Sequence, residues 1–309
     1  MSRADDLLPI PPRGGHDIDT QNGFLPLLAP PDLKAQVSVE ERFVPGPDHA
    51  PDVRVLVYRP KDEPGTLPVI LSIHGGAFCF AHPETFELMD VGWAVQHRCV
   101  VVAVDYRLAP EHPFPAGSED CYAALLWTAA HADELAVDLD RLVVAGGSAG
   151  GALSAAVALM SRDRKGPKIA LQALLIPVLD DRLQSASHEQ SRGAPGFNAD
   201  GNEGMWLHYL GEGYDRSQTS PYAAPARAED LSGLPPAIVQ TNGLDPLRDE
   251  GILYGLRLME AGIPVELYNA PGCYHGADPV DPRAAAQAIR VFTEALGAAL
   301  HPEAGPAEV

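Results

Sequence analysis

The chain has 309 residues, 46% hydrophobic and 21% charged, with 42 acids against 22 bases and a formal net charge of −20. A mean hydropathy of −0.07 excludes a disordered chain, because enough apolar surface is present to bury a large core. The acidic balance repels phosphate backbones and anionic lipid, so it argues against nucleic-acid and membrane partners.

The amino-terminal start, MSRADDLLPIPPR, is acidic and proline-broken, with no basic stretch leading into an apolar one. The longest apolar runs, such as 99–104, fall far short of the roughly 18–20 residues that span a bilayer. Cys79, Cys99, Cys121 and Cys273 are scattered without zinc-ligand spacing, which reads as free thiols in a reducing compartment. The expectation is a cytoplasmic protein without a metal.

Residues 1–36 are interrupted by Pro9, Pro11, Pro12, Pro26, Pro30 and Pro31. VSVEERFV and VRVLVYRP then alternate with period two between turn signals, predicting an antiparallel pair of strands. Short continuous apolar runs follow at 68–73, 99–104, 141–146, 173–178, 236–241 and 264–269. Helical stretches stand between and after them, near 84–97, 117–132, 149–163, 246–262 and 281–300. Strands apolar on both faces and spaced by helices predict an α/β protein with a mostly parallel eight-stranded sheet covered on both sides. The length allows two domains, or one large domain with an insertion. The pattern favours one domain over 1–309, because only residues 182–222 break the rhythm. That polar stretch reads either as a surface excursion or as a cap over a pocket.

The chemistry centres on GGSAGG at 146–151, between the predicted strand 141–146 and the predicted helix 149–163. A G-x-S-x-G turn from strand to helix exposes a serine hydroxyl at the carboxyl edge of a sheet. Ser148 is therefore the candidate nucleophile. HGGA at 74–77 follows the strand 68–73, where backbone N–H groups can face a developing oxyanion. Gly75, Gly76 and Ala149 are the candidate donors, and His74 reads as a brace for their loop.

In this topology the acid and then the base follow the serine. Of the histidines, only His188, His208, His275 and His301 lie downstream of it. His275 alone stands just past the last strand, in APGCYHGAD, and is the candidate base. Asp245 lies after the strand 236–241, in GLDPLRDE, and is the candidate acid. The rival reading makes Asp245-Pro246 a helix cap, with Asp249 and Glu250 as first-turn acids favoured by the helix dipole. With Asp245 as the acid, Asp249 is expected to support the loop that carries His275. Tyr106 and Arg107 read as loop packing and a structural ion pair.

HGGA at 74–77, YRLAPEHPFPA at 106–116, GGSAGG at 146–151, GLDPLRDEG at 243–251 and YHG at 274–276 resemble the hormone-sensitive lipase-like (bacterial family IV) esterases of the α/β-hydrolase fold. The resemblance covers about residues 50–300. It implies a serine carboxylesterase acting on short- to medium-chain esters without a cofactor. It also implies a helical cap built from about 1–45 and about 182–222, and a homodimer formed through 264–269 and 281–300. The family's nucleophile, acid and base fall on Ser148, Asp245 and His275. One departure stands out: the residue before the nucleophile is often acidic in the family and is Gly147 here. The alternatives are an amidase or lactonase on the same triad, or a non-catalytic ligand-binding member of the family.

Overall fold

The computed structural model describes residues 3–8, 27–47, 50–211, 213–276 and 279–302. The prolines read as helix breakers at 9–26 lie outside the described residues. Eight strands form one sheet: β1 (Val37–Val44), β2 (Val53–Pro60), β3 (Leu67–Ile73), β4 (Val100–Asp105), β5 (Val137–Gly147), β6 (Leu171–Leu175), β7 (Ala237–Asn242) and β8 (Val265–Ala270). Their order is β1-β2-β4-β3-β5-β6-β7-β8. β2 runs antiparallel to both its neighbours, and every pair from β4 to β8 is parallel.

The continuous apolar runs arise because both faces of the sheet are covered. Val69, Leu71 and Ile73 of β3 join one core while Ile70 joins the other. Val100, Val102 and Val104 of β4 are divided in the same way from Val101 and Ala103. Each such side chain contributes about 1.5–3 kcal/mol on burial.

Three helices supply one layer: α4 (Ala116–Ala130), α6 (Ala149–Asp163) and α9 (Arg248–Glu260). Leu125, Leu153 and Tyr254 carry them into the larger core. The other layer comes from α3 (Glu87–Gln96) and α10 (Pro282–Leu300), whose Trp93 and Phe292 rings stack. Short helices α1 (Arg3–Leu7), α2 (Pro31–Lys34) and α5 (Ala132–Leu135) complete the amino-terminal half.

Residues 176–236 leave the sheet between β6 and β7 and include α7 (Ala186–Gln190) and α8 (Ala199–Leu210). α1 lies on α8: the Arg3 guanidinium pairs with Glu203, and His208 Nε2 lies 2.9 Å from the Leu8 carbonyl oxygen. Two sequence-based boundaries need correction. Val37–Val44 pairs with β2 over its whole length, so the amino-terminal share of any cap ends before residue 37 and not near 45. The strand expected at 173–178 ends at Leu175, because Ile176 adopts φ +43° and Pro177 has no N–H to continue the ladder.

One buried carboxyl gives the fold a pH signature. Asp90 of α3 is 1% exposed, and its Oδ1 accepts a 2.6 Å hydrogen bond from the Ser72 hydroxyl. Burial, with repulsion from Glu87, pushes its pKa up from 3.8 to about 7 against the opposing pull of Ser72. The folded state therefore holds this proton after the unfolded state has lost it. Stability falls as pH rises from about 4 to about 7 and stays at the lower level above that. Asp90→Asn keeps the acceptor for Ser72 and removes the titration. It is expected to match wild type in thermal melts at pH 4 and to exceed it at pH 8 by on the order of 1–4 kcal/mol. Equal melting at both pH values would contradict this.

Candidate active site

The chain crosses from β5 into α6 through Ser148, whose backbone sits at φ +57°, ψ −119°. That conformation is strained for a residue with a side chain, and the glycines around it make it attainable. A Cβ on Gly150 would lie 1.9 Å from the Ile73 carbonyl oxygen and 2.7 Å from that of His74. One on Gly146 would lie 2.4 Å from the Gly150 oxygen. Strand, turn and helix are pressed together by backbone, leaving the serine side chain to project outward. Gly147 differs, for its Cβ would meet nothing closer than Leu175 at 3.8 Å.

Gly150→Ala is accordingly expected to cost several kcal/mol, in the range of severe core overpacking, and to yield little soluble protein. Gly147→Ala is expected to melt within about 1 kcal/mol of wild type. Comparable melting of the two variants would overturn the account of the turn.

His275 stands in the loop after β8 and is 7% exposed. Its Nε2 lies 2.9 Å from Ser148 Oγ, and its Nδ1 lies 2.7 Å from Asp245 Oδ2. Three hydrogen bonds from the end of β7 and the turn after it hold this loop. Gly243 N–H reaches the Ala270 carbonyl at 2.7 Å, Leu244 N–H reaches that of Cys273 at 2.9 Å, and Asn242 Nδ2 donates to that of Tyr274 at 2.9 Å. The excursion adds a fourth, from Phe197 N–H to the His275 carbonyl at 3.1 Å, with the Phe197 ring 5.0 Å from the imidazole. Neither the Phe197 contact nor the role of Asn242 was read from the sequence; isolated Phe and Asn residues in loops carry no motif.

Asp245 is 1% exposed and is not the helix cap of the rival reading, since Leu247 stands at the N-cap of α9 without a side-chain cap bond. While Oδ2 faces His275, Oδ1 accepts the Leu247 N–H at 2.8 Å just ahead of α9. The carboxylate caps the turn with one oxygen and orients the imidazole with the other.

Asp249 requires correction. It does not touch the His275 loop. Its Oδ2 accepts the Ser187 N–H at 2.7 Å, its own N–H donates to Ser187 Oγ at 3.1 Å, and its Oδ1 takes Arg248 Nε at 2.7 Å. It fastens α7 to α9. Glu250, read as a helix-dipole acid, is buried and accepts the N–H groups of Leu179 at 2.6 Å and Asp180 at 3.2 Å. Burial pushes its pKa well above the ordinary carboxyl value. Both acids tie the excursion to the helix that follows Asp245.

The loop 74–77 lies beside the serine: a Cβ on Gly75 would stand 3.5 Å from Ser148 Cβ. Gly76 takes φ +109°, with the Phe80 carbonyl 2.3 Å from where a Cβ would be, so only glycine fits. Ala149 is the first residue of α6, and its N–H has no acceptor within the helix. His74 is a loop brace. It is buried, stacks on Tyr106 at 4.3 Å, and its Nδ1 lies 2.7 Å from the Gly75 carbonyl oxygen. Burial lowers its pKa to about 4, so the ring is neutral. Tyr106 donates its hydroxyl to the His74 carbonyl at 3.0 Å, and Arg107 forms a fork with the buried Asp120 at 2.7 and 2.8 Å. His188 of α7, His208 of α8 and His301 at the end of α10 hydrogen-bond elsewhere, to Asn202 and to the carbonyls of Leu8 and His97. The four cysteines are buried and form no disulfide. Among the described residues no cluster of three or more His, Cys, Asp or Glu could hold a metal ion, and no helix is long and apolar enough to cross a membrane.

The model of a family described as alpha/beta hydrolase fold matches residues 70–278. The chain is 40% identical over 252 residues to the carboxylesterase NlhH of Mycobacterium tuberculosis, covering 81% of this chain and 78% of that protein. It is 38% identical over 210 residues to an arylesterase of Saccharolobus solfataricus, covering 67% of each. Among solved structures it resembles a bacterial heroin esterase at TM-score 0.83 and 42% identity, covering 86% of both chains. It also resembles the esterase LipW of Mycobacterium marinum at TM-score 0.79 and 36% identity, covering 87% of this chain and 83% of that one. Sheet order, the turn at Ser148 and these likenesses converge: the chain belongs to the hormone-sensitive lipase-like, family IV branch of the α/β-hydrolases and is a hydrolase.

Proposed function

We propose that the chain is a serine carboxylesterase working through an acyl-enzyme, with Ser148 as nucleophile, His275 as base and Asp245 as acid. The observation that carries this reading is the run from Ser148 Oγ to His275 Nε2 at 2.9 Å and from His275 Nδ1 to Asp245 Oδ2 at 2.7 Å. Ser148 donates its proton to Nε2 as Oγ attacks the ester carbonyl, and the imidazolium returns that proton to the departing alcohol. Water then repeats the sequence on the acyl-serine and releases the acid. Asp245 accepts the Nδ1–H and keeps the tautomer that leaves Nε2 free. The N–H groups of Gly75, Gly76 and Ala149 stabilise the oxyanion, each donor contributing about 2.7–4 kcal/mol.

α1, α7 and α8 form the cap over this site, supported by the packing of α1 on α8 and by the bond from Phe197 to His275. Esters, expected to be of short to medium chain, are the substrates; the ester class is supported by the relatives named as carboxylesterase and arylesterase. A cytoplasmic location is supported by four cysteines that form no disulfide. A homodimer through β8 and α10 is supported by the sheet ending at β8 and by the exposed Ile289 of α10.

Matched p-nitrophenyl esters of increasing acyl length, set against the corresponding anilides and lactones, test the substrate class. Fastest turnover on esters of short to medium chain is expected. Faster turnover of anilides or lactones would make the chain an amidase or lactonase, and no turnover with any of them would favour a ligand-binding protein.

A further inference from the structure

Three consecutive residues of the loop after β3 hold positive φ: Gly76 at +109°, Ala77 at +52° and Phe78 at +59°. Glycine adopts that region freely, but alanine is strained there and a bulky phenylalanine more so. Such a segment keeps its shape only where its surroundings over-determine it.

Backbone bonds supply part of that constraint. The Gly76 carbonyl accepts the N–H groups of Cys79 at 2.9 Å and Phe80 at 2.8 Å, and the Phe78 carbonyl accepts that of Ala109 at 2.9 Å. None of these bonds uses the N–H of Gly75 or Gly76. The Phe78 side chain, 1% exposed, has a different anchor. Its ring lies on that of Tyr209 at 3.7 Å with the planes 8° apart, and tilts against Trp206 at 6.1 Å. Both partners belong to α8. Tyr209 is itself held: it is 2% exposed, meets the Phe114 ring edge-on at 6.0 Å, and its carbonyl accepts the Phe114 N–H at 2.8 Å. The connection between β4 and α4 thus grips Tyr209, and Tyr209 grips the strained loop.

We propose that Tyr209 is a positioning residue for the reaction: by stacking on Phe78 it holds the loop in the strained form that aims the Gly75 and Gly76 N–H groups at the oxyanion. The proposal rests on the esterase reading. It makes α8 part of the catalytic machinery and not only a cover over it. Rings in face-to-face contact at 3.7 Å leave no slack between them, and close-packed interiors transmit strain, so a displacement of α8 reaches Phe78 directly. The donors it governs must lie about 2.7–3.1 Å from the oxyanion, and a misplacement of about 1 Å can cost on the order of 10² in rate.

A pair of substrates isolates this effect. Replacing the carbonyl oxygen of p-nitrophenyl butyrate by sulfur gives a thionoester whose developing charge amide N–H groups stabilise poorly. Wild type is expected to turn over the oxygen ester faster. Tyr209→Leu should lower kcat on that ester at least about tenfold with KM within about twofold, while its thionoester rate falls less than about threefold. Tyr209→Phe keeps both ring contacts, loses only the hydroxyl beside Ser118, and should stay within about twofold of wild type on both substrates. Phe78→Leu removes the other half of the stack and should show the same ester-selective loss, with the double variant losing little more than either single one. It carries the test alone should Tyr209→Leu fail to fold. Equal losses on ester and thionoester, a loss carried by KM, the same loss in Tyr209→Phe, or unchanged kcat would each overturn the proposal while leaving the esterase reading in place. Wild type that turned over neither substrate would overturn that reading, and this proposal with it.

Discussion

Replacing Ser148 with alanine is expected to lower kcat for p-nitrophenyl butyrate by on the order of 10⁶ while leaving the fold intact. The size of the effect follows from removing the atom that becomes acylated. The tolerance of the fold follows from the turn. Alanine meets the same strain at φ +57° that serine does, and it leaves untouched the close backbone contacts of Gly146 and Gly150. Residual catalysis of about 10³–10⁴ over water is expected from the amides of Gly75, Gly76 and Ala149 and from binding. Adding His275→Ala should then cost little more, because the three side chains act as a unit. Initial rates and thermal melts of the purified variants check this; a single variant within tenfold of wild type would remove Ser148 from the mechanism.

Asp245→Asn is expected to lower kcat by about 10⁴, and the structure gives a specific reason. Oδ1 of Asp245 accepts the Leu247 N–H at 2.8 Å, and only the carbonyl oxygen of an asparagine can take that place. Its NH₂ is then turned toward His275 Nδ1, 2.7 Å away in the wild type. Nδ1 must become an acceptor, which moves the ring proton to Nε2, where it faces Ser148 and cannot receive the serine proton. Asp245→Ala frees the ring to choose its tautomer and should lose less activity than Asp245→Asn. Equal, small losses in both would show that Asp245 serves only to cap the turn before α9.

The proposed triad can be picked out in the sequence because its candidates are tied to strand ends. Ser148, Asp245 and His275 each follow an apolar run by a few residues, and a parallel sheet brings those ends to one rim. Period and burial reveal the strands themselves, since Ile70 and Leu71 point into different cores yet are both fully buried. Long-range polar ties are not legible in the same way. Asp249 and Glu250 look like helix-dipole acids in the sequence. Their partners, Ser187 and the Leu179 and Asp180 amides, lie about 60–70 residues away and are backbone or hydroxyl groups with no pattern. The end of β6 was missed for a related reason. Ile176 continues the apolar run at 173–178, and nothing in that run signals its positive φ. The vacancy beside Gly147 also needs coordinates, since the motif alone cannot distinguish it from its crowded neighbours.

The central claim is that His275 activates Ser148 alone among the hydroxyls of the chain. Treatment with a fluorophosphonate, followed by mass spectrometry of the digested protein, tests it directly, because the activated oxygen displaces fluoride and keeps the phosphonyl group. One adduct per chain is expected, on Ser148, lost in His275→Ala. No adduct, an adduct on another residue, or equally fast labelling in His275→Ala would contradict the account.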